Sequence, residues 1–296
     1  MEEYIEKAAV LIEALPYIQS FRNKTVVIKF GGSAMVLDEY LECVLRDIVF
    51  LECVGVNPVL VHGGGDAIST RMREFGLSTR FAQGLRVTDA DAIRVVEDVL
   101  VNSVNKKLVD TIKKFGGDAK GMSGKDDQLI LSRKHPPVRC VQANGSIEEI
   151  DIGFVGEIQK IRKELIVETI KQEKVAVVAP IGVDKNGTVY NVNADLVAGK
   201  IAAELKAEKL VFLSDVHGIM TDRDDSETFV SSLKIEDVYS LIDNGIISEG
   251  MLPKIWACIG AVEAGVNKTH IIDGRIRHSL LLEIFTDKGV GTEIVP

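Results

Sequence analysis

Six short stretches put chemically capable side chains where a backbone can hold them. "KFGGS" (Lys29–Ser33) ends an apolar run in a cation and then drops its side chain twice. At the carboxyl end of a parallel strand, glycines let backbone N–H groups approach an anion, and a following helix adds its positive N-terminus. A phosphate fits there, with Lys29 as its cation; a tight turn with an exposed lysine would read the same. "VHGGGD" (Val61–Asp66) repeats the pattern. Three successive glycines carry an entropic penalty on folding that a turn alone seldom requires, so close approach to a ligand is the better reading. His62 suits a packed histidine as well as a catalytic one and is assigned no role. The absence of GxxxxGK[ST] excludes a Walker loop, and no well-placed GxGxxG supports a dinucleotide enzyme.

Arg86 stands in "GLRVT" before a helix start. Its planar fork suits a carboxylate, although a lone arginine is more often a solvated surface residue. "NVNAD" brings Asn191, Asn193 and Asp195 to one side of an extended segment. Two amides and a carboxylate converging beside a helix start favour a polar site over a simple cap. Lys254, in "GMLPKIWAC", falls in the first turn of an apolar helix, where a cation opposes the dipole. Local mismatches of this kind are enriched at functional sites. "FLSDVHGI" places Ser214, Asp215 and Gly218 beyond a buried strand, at the edge where open α/β sheets bind ligands.

The elements that must position these residues alternate regularly. Thr25–Phe30 reads as a buried parallel strand, and Leu41, Val44, Leu45, Ile48 and Leu51 line one helical face after it. "PVLV" (Pro58–Val61) begins the next strand, making a right-handed βαβ crossover. A long helix is predicted from about Asp89 to Phe115, with Thr88 as its N-cap. Between Gly121 and Gly156 the pattern turns irregular, with an Asn144–Gly145 turn, as in a hairpin-rich lid. A helix at 162–172, the strand "VAVVAP" and an Asn186–Gly187 hairpin follow. Next come a helix at 195–205, the strand "KLVFLSD", a polar loop near 222–227, helices near 235–242 and 254–264, "THIID", a short helix and "TEIV". Ahead of everything, Ile5, Ala8, Ile12 and Leu15 mark an amphipathic helix that Pro16 closes. It covers either its own domain or a neighbouring subunit. The fold class is α/β, a three-layer αβα sandwich around a mainly parallel sheet. It divides into an arm (1–24), an N-terminal lobe (25–188) and a C-terminal lobe (189–296).

With 296 residues, 46% hydrophobic and 27% charged, the chain has the profile of a soluble globular protein. A net charge of −9 argues against nucleic acid, while leaving room for a local basic pocket. The N-terminus is acidic and lacks a signal peptide's apolar run, and no stretch suits a bilayer, so a cytoplasmic location without membrane contact is expected. Cys43, Cys53, Cys140 and Cys258 form no CxxC pair and read as reduced core thiols rather than as a disulfide frame or zinc site.

Taken in order, KFGGS, HGGG, GLRVT, NVNAD, SDVHGI and GMLPK resemble the amino acid kinase family. The match runs from about Thr25 to the C-terminus. GLRVT and NVNAD narrow it to members that phosphorylate N-acetyl-L-glutamate for arginine biosynthesis. The resemblance implies that Lys29 and Lys254 neutralise the transferring phosphoryl group while Asp195 holds both lysines. Gly31, Gly32 and Gly64 would offer N–H donors to that group. Gly64, Gly65, Arg86, Asn191 and Asn193 would bind the acyl amino acid. Asp215, Val216, His217, Gly218, Ile219 and Met220, with Ile246, Ile247 and Ser248, would hold ATP. Mg²⁺ would be carried through the phosphates, with no protein metal ligands. A carboxylate nucleophile with a pKa of about 4.3 is already ionised at neutral pH and needs no general base.

The family's arginine-inhibited, hexameric members carry an N-terminal helix that interlaces dimers. The helix Glu2–Leu15, followed by Tyr17 and Phe21, resembles that arm. A homodimer, extended to a hexamer, and feedback inhibition by arginine near Tyr17, Lys209, Glu283 and Gly289 are thus implied. Some members bind a PII signalling protein, on which these residues are silent. Two alternatives stay open: another acid kinase, for glutamate or aspartate, and a non-catalytic amino-acid sensor.

Overall fold

The computed structural model describes residues 1–35, 37–141, 146–222, 225, 228–247, 250–286 and 289–296. Eight strands build the main sheet: β1 (Thr25–Phe30), β2 (Asn57–His62), β3 (Ala119–Ser123), β4 (Val175–Ala179), β5 (Lys209–Ser214), β6 (Ser232–Lys234), β7 (Lys268–Asp273) and β8 (Thr292–Val295). Their spatial order is β6-β8-β7-β5-β1-β2-β4-β3. Every neighbouring pair is parallel except β7 with β8. β1 lies between β2 and β5, so one sheet spans both of the lobes expected from sequence.

Alternation along the strands divides the core into two layers. Val27, Val59, Val61, Ala176, Val178, Leu210 and Phe212 face helices α6 (Glu164–Lys171), α7 (Ala194–Leu205), α8 (Ile235–Asp243) and α9 (Leu252–Glu263). Val26, Ile28, Phe30, Leu60, Val177, Val211 and Leu213 face α2 (Asp38–Cys53), α5 (Lys106–Lys114) and α10 (Ser279–Phe285). The three-layer architecture follows directly. A smaller four-stranded sheet, in the order 189–191, 181–183, 130–134, 156–161, joins the irregular region to the strands that flank Asn186–Gly187, and 138–141 pairs with 147–150 within that region. The Asn144–Gly145 turn expected there lies outside the described residues.

Three expectations need correction. The first helix, α1 (Glu2–Phe21), passes through Pro16 instead of ending there. Proline takes its own N–H from the ladder and crowds the carbonyl four residues back, yet helical bonding resumes, with Arg22 N–H donating to Ile18 O at 3.0 Å. The long helix after Arg86 is capped by Asp89, whose Oδ1 accepts from the N–H groups of Asp91 and Ala92, whereas the buried Thr88 hydroxyl donates to Arg86 O. That helix is also not uniform: α4 (Ala90–Glu97) passes into a π-helical segment, Asp98–Asn105, before α5. Of the four cysteines, only Cys258 is buried in the core. Cys53 ends α2 in solvent, and Cys43 stands beside the apolar stripe of that helix rather than within it.

Candidate active site

Lys29 shares the face of Val27, two residues earlier on β1, and therefore rises beneath α7. There its Nζ lies 2.8 Å from Asp195 Oδ1, in the first turn of α7. Lys254, in the first turn of α9, approaches the other oxygen, Oδ2, at 3.5 Å. The first contact is an ion pair set by charge and distance rather than by hydrogen-bond alignment. Close packing of α7 and α9 makes the meeting possible: a Cβ on Gly199, one turn beyond Asp195, would sit 3.0 Å from Ala257. The cation that opposes its own helix dipole is thus compensated from a neighbouring helix.

Electrostatics at the trio run in opposite directions. Burial pushes the Asp195 carboxyl up, but Lys29 and Lys254 overcome it and hold it below the ordinary carboxylate range. Burial lowers the Lys254 ammonium, against the pull of Asp195 and reinforced by Lys29. Two cations held by one anion leave a surplus positive charge, an arrangement suited to a strongly anionic ligand.

The two glycine stretches form the floor beside this trio. Gly31 and Gly63 face each other so closely that a Cβ on Gly63 would come within 3.2 Å of the Gly31 Cα. A Cβ on Gly64 would strike Leu100 at 2.6 Å. Gly64 is the N-cap of α3 (Gly65–Glu74), so the N–H groups of that helix start open onto the floor.

Next to the floor lies a cleft of ≈ 430 Å³, which brings together Lys29, Gly64, Gly65, Arg86, Asn191, Asn193 and Asp195. Arg86 is not a solvated surface residue. It is buried, with Nη2 donating to Gly65 O (2.9 Å) and Ser69 Oγ (2.8 Å). Its Nη1 has poorer partners, Thr79 Oγ1 at 3.3 Å and the Met72 sulfur at 3.5 Å. Burial lowers the guanidinium from its ordinary value, against the attraction of Asp66, and Phe81 stacks on it at 4.9 Å. Asn193 does serve as a cap, its Oδ1 accepting from Asp195 and Leu196 N–H, which leaves its amide nitrogen for other work. Asn191 reaches Thr88 Oγ1 at 3.4 Å.

Of the residues expected at the nucleotide, 215–220 follow the end of β5. Ile219 and Ile247 are buried in the core, so only their backbone is offered outward. His217 is exposed and lies 3.1 Å from the buried Asp273. Ser248 lies outside the described residues. Tyr17, Lys209, Glu283 and Gly289, far apart in sequence, line one cavity of ≈ 380 Å³.

Sequence reasoning left Gly63, Ser69, Phe81 and Asn105 without a role. Gly63 was legible as the first glycine of HGGG; the others carry no local signal. Asn105 explains His62. The His62 Nδ1–H donates to Gly63 O (2.7 Å), and Nε2 accepts from Asn105 Nδ2 (3.1 Å), which also donates to Val177 O (2.9 Å). Burial pushes the imidazole down to about 4, so it is a neutral support for the glycine floor rather than a proton carrier. Asn105→Leu removes both donors and is expected to lower stability by about 1–3 kcal/mol, read from urea unfolding. A change within error would show that this network is not structural.

Residues 24–273 match the model of the amino acid kinase family. The acetylglutamate kinase of Heliobacterium modesticaldum is 50% identical over 295 residues, with 100% of each chain covered. That of Moorella thermoacetica is 50% identical over 292 residues, covering 99% of this chain and 98% of its own. Among solved structures, N-acetylglutamate synthase from Neisseria gonorrhoeae, complexed with coenzyme A and N-acetyl-glutamate, superimposes with a TM-score of 0.82 at 26% identity. It covers 98% of this chain, which spans 63% of that one. Carbamate kinase from Giardia lamblia bound to AMP-PNP shares the fold at a TM-score of 0.62 and 15% identity, covering 92% of this chain and 98% of its own. On motif order, site geometry and full-length similarity, the chain belongs to the amino acid kinase family.

Proposed function

We propose that the protein transfers the γ-phosphoryl group of ATP to the γ-carboxylate of N-acetyl-L-glutamate, giving the acyl phosphate and ADP in arginine biosynthesis. The single observation that carries this reading is the Lys29–Asp195–Lys254 trio, two members of which line a cleft that holds a buried arginine. Phosphoryl transfer calls for positioning and charge neutralisation more than for covalent help. Arg86 would take the α-carboxylate, trading its weak Nη1 partners for a charged one, while Asn191 and Asn193 meet the acetamide. The γ-carboxylate then lies toward Lys29 and the glycine floor. It attacks the γ-phosphorus in line as the bond to the ADP oxygen breaks. Lys29 and Lys254 offset the charge spreading over the phosphoryl oxygens, and the glycine N–H groups donate to them. His62, buried and neutral, has no proton to move.

Residues 215–220 and 246–248 would hold the nucleotide. Mg²⁺ would come with it, held by the phosphates, because the one carboxylate of the trio is already shared by two lysines; its charge would offset theirs. The lobes 25–188 and 189–296 would carry acyl substrate and ATP respectively. Trapping the acyl phosphate with hydroxylamine tests the reaction. Hydroxamate is expected from N-acetylglutamate and not from glutamate, aspartate or acetylaspartate. Product from glutamate or aspartate instead would keep the chemistry and overturn the substrate.

The same proposal extends to regulation. Along α1, Tyr4, Ile5, Leu11, Ile12 and Leu15 are exposed and share one face, an apolar stripe suited to another copy of the chain in an oligomer of dimers. The Tyr17–Lys209–Glu283–Gly289 cavity would accept arginine, its guanidinium pairing with the Glu283 carboxylate. Submillimolar arginine is expected to inhibit, and Glu283→Gln to weaken inhibition roughly ten- to a hundredfold, the scale of a charged hydrogen bond. A wild-type activity curve flat to millimolar arginine would remove this part of the proposal. No helix among the described residues is long and apolar enough to cross a membrane.

A further inference from the structure

Away from the phosphoryl site, three metal-capable side chains converge where α2 meets the loop before α10. Cys43 and Asp47 are one turn apart on α2, and His278 immediately precedes α10 with a left-handed backbone (φ 58°). His278 Nδ1 lies 2.6 Å from Asp47 Oδ1 and 3.7 Å from Cys43 Sγ, and the three ligand atoms all fall within 4.8 Å of one another. Among the described residues this is the one such cluster of three. We propose that Cys43, Asp47 and His278 form a Zn²⁺ site with a solvent-filled fourth position, a staple unrelated to phosphoryl transfer.

Four observations support this reading over an ordinary hydrogen-bonded cluster. Both acidic partners meet the same ring nitrogen. A nucleophilic Cys-His-Asp relay needs one partner on each nitrogen, so this geometry is convergent rather than serial. Second, Asp47 is 1% exposed, and its Oδ2 has no hydrogen-bond partner. Third, the Cys43 sulfur is aimed at the same point, accepting the His278 backbone N–H at 3.3 Å. The neighbouring arginines have partners of their own, Arg277 on Glu39 and Arg46 over the Phe115 ring at 4.0 Å. Fourth, the His278 ring is 56% exposed, which leaves water room to reach a fourth position.

The donor set is what Zn²⁺ takes at three-ligand sites: thiolate, imidazole and carboxylate, at about 2.3, 2.0 and 2.0–2.2 Å. The 3.7 Å from sulfur to nitrogen already suits two ligands of one tetrahedral ion. The Nδ1–Oδ1 pair must open from its 2.6 Å hydrogen bond to admit the metal. On binding, the thiol proton passes to solvent and the ring carries its remaining proton on Nε2. Occupied, the site would tie α2 to the segment that carries Glu283, alongside the edge-on contact of Phe50 with Phe285 at 5.9 Å.

The test uses the full-length protein, stripped with a chelator and titrated with Co²⁺ as a spectroscopic stand-in, in excess Mg²⁺. Thiolate-to-cobalt charge-transfer bands are expected to saturate at one ion per chain and to vanish when Zn²⁺ is added. Cys43→Ala and His278→Ala should each abolish the stoichiometric signal, while Cys53→Ala keeps it. Circular dichroism checks that each variant is folded. In the wild type, Zn²⁺ should also protect Cys43, and not Cys53 or Cys140, from alkylation. A cobalt spectrum without thiolate bands, bands that survive in Cys43→Ala, or alkylation of Cys43 unchanged by Zn²⁺ would overturn the proposal.

Discussion

Asp195→Asn is expected to lower kcat by about two to three orders of magnitude, the scale set by removing one preorganised charge-stabilising group, and to destabilise the fold as well. The substitution leaves Lys29 and Lys254 facing each other without an anion. Breaking a buried ion pair from one side typically costs about 3–5 kcal/mol. The pH dependence separates this from simple misfolding. Lys254 is already held below its ordinary 10.5 by burial, and loss of Asp195 removes the carboxylate that raises it. Between its folded and unfolded values, the unfolded chain binds more protons, so stability rises with pH. The deficit of the variant should therefore be largest at neutral pH and shrink as pH climbs toward the ordinary lysine value. In the wild type, the depressed Asp195 works the other way. Its contribution is complete above the ordinary 3.8 and fades as pH falls through the lower folded value. Urea melts across pH, on wild type and variant together, would show both trends; a pH-independent deficit would mean that the three charges are not coupled.

Arg86→Lys is the second large effect, and it should appear in KM. The guanidinium is fixed by Gly65 O and Ser69 Oγ through one nitrogen, leaving the other to receive a carboxylate. Lysine keeps the charge and loses the fork. Loss of one charged hydrogen bond, about 1.5–3 kcal/mol, corresponds to KM for N-acetylglutamate rising roughly ten- to a hundredfold. The KM for ATP and kcat should move only a few-fold, because the α-carboxylate proposed as the partner of Arg86 does not react. If kcat fell while KM stayed put, Arg86 would belong with the transferring phosphoryl group instead.

Much of the fold was legible because the chain keeps one signal for each element. The apolar runs at Thr25–Phe30 and Pro58–Val61 became neighbouring strands, and the stripe Leu41–Leu51 became the buried face of α2. Misread boundaries fell where local chemistry offered two answers. Thr88 and Asp89 are both good caps, and burial of the Thr88 hydroxyl against Arg86 O decided between them. Pro16 ends most helices, but an exposed helix can give up one hydrogen bond and continue. The π-helical turn at 98–105 has no sequence signature. It carries Asn105 under the sheet to His62 and Val177, a contact that only tertiary packing reveals.

The site divides in the same way. Lys29, Asp195 and the glycines were readable because each sits at a strand end or helix start, where backbone geometry constrains residue choice. Lys254 showed itself as a mismatch whose partner is 59 residues earlier in the chain. Ser69, Phe81 and Asn105 touch the site from ordinary-looking segments and leave no local trace. The Cys43–Asp47–His278 cluster was hidden by distance as well: its third member is 231 residues from Asp47, so cysteine spacing alone pointed away from a metal.

The central claim is that Lys29 and Lys254, joined through Asp195, neutralise the same phosphoryl group. A double-mutant cycle tests it most directly, with kcat measured by hydroxamate trapping in Lys29→Ala, Lys254→Ala and the double variant. Groups that act as one unit are strongly non-additive. The account predicts a double variant within about tenfold of the slower single, the scale of a coupling energy of a few kcal/mol. A double variant slowed by the full product of the two single effects would mean that the lysines act independently, and the shared-clamp account would be wrong.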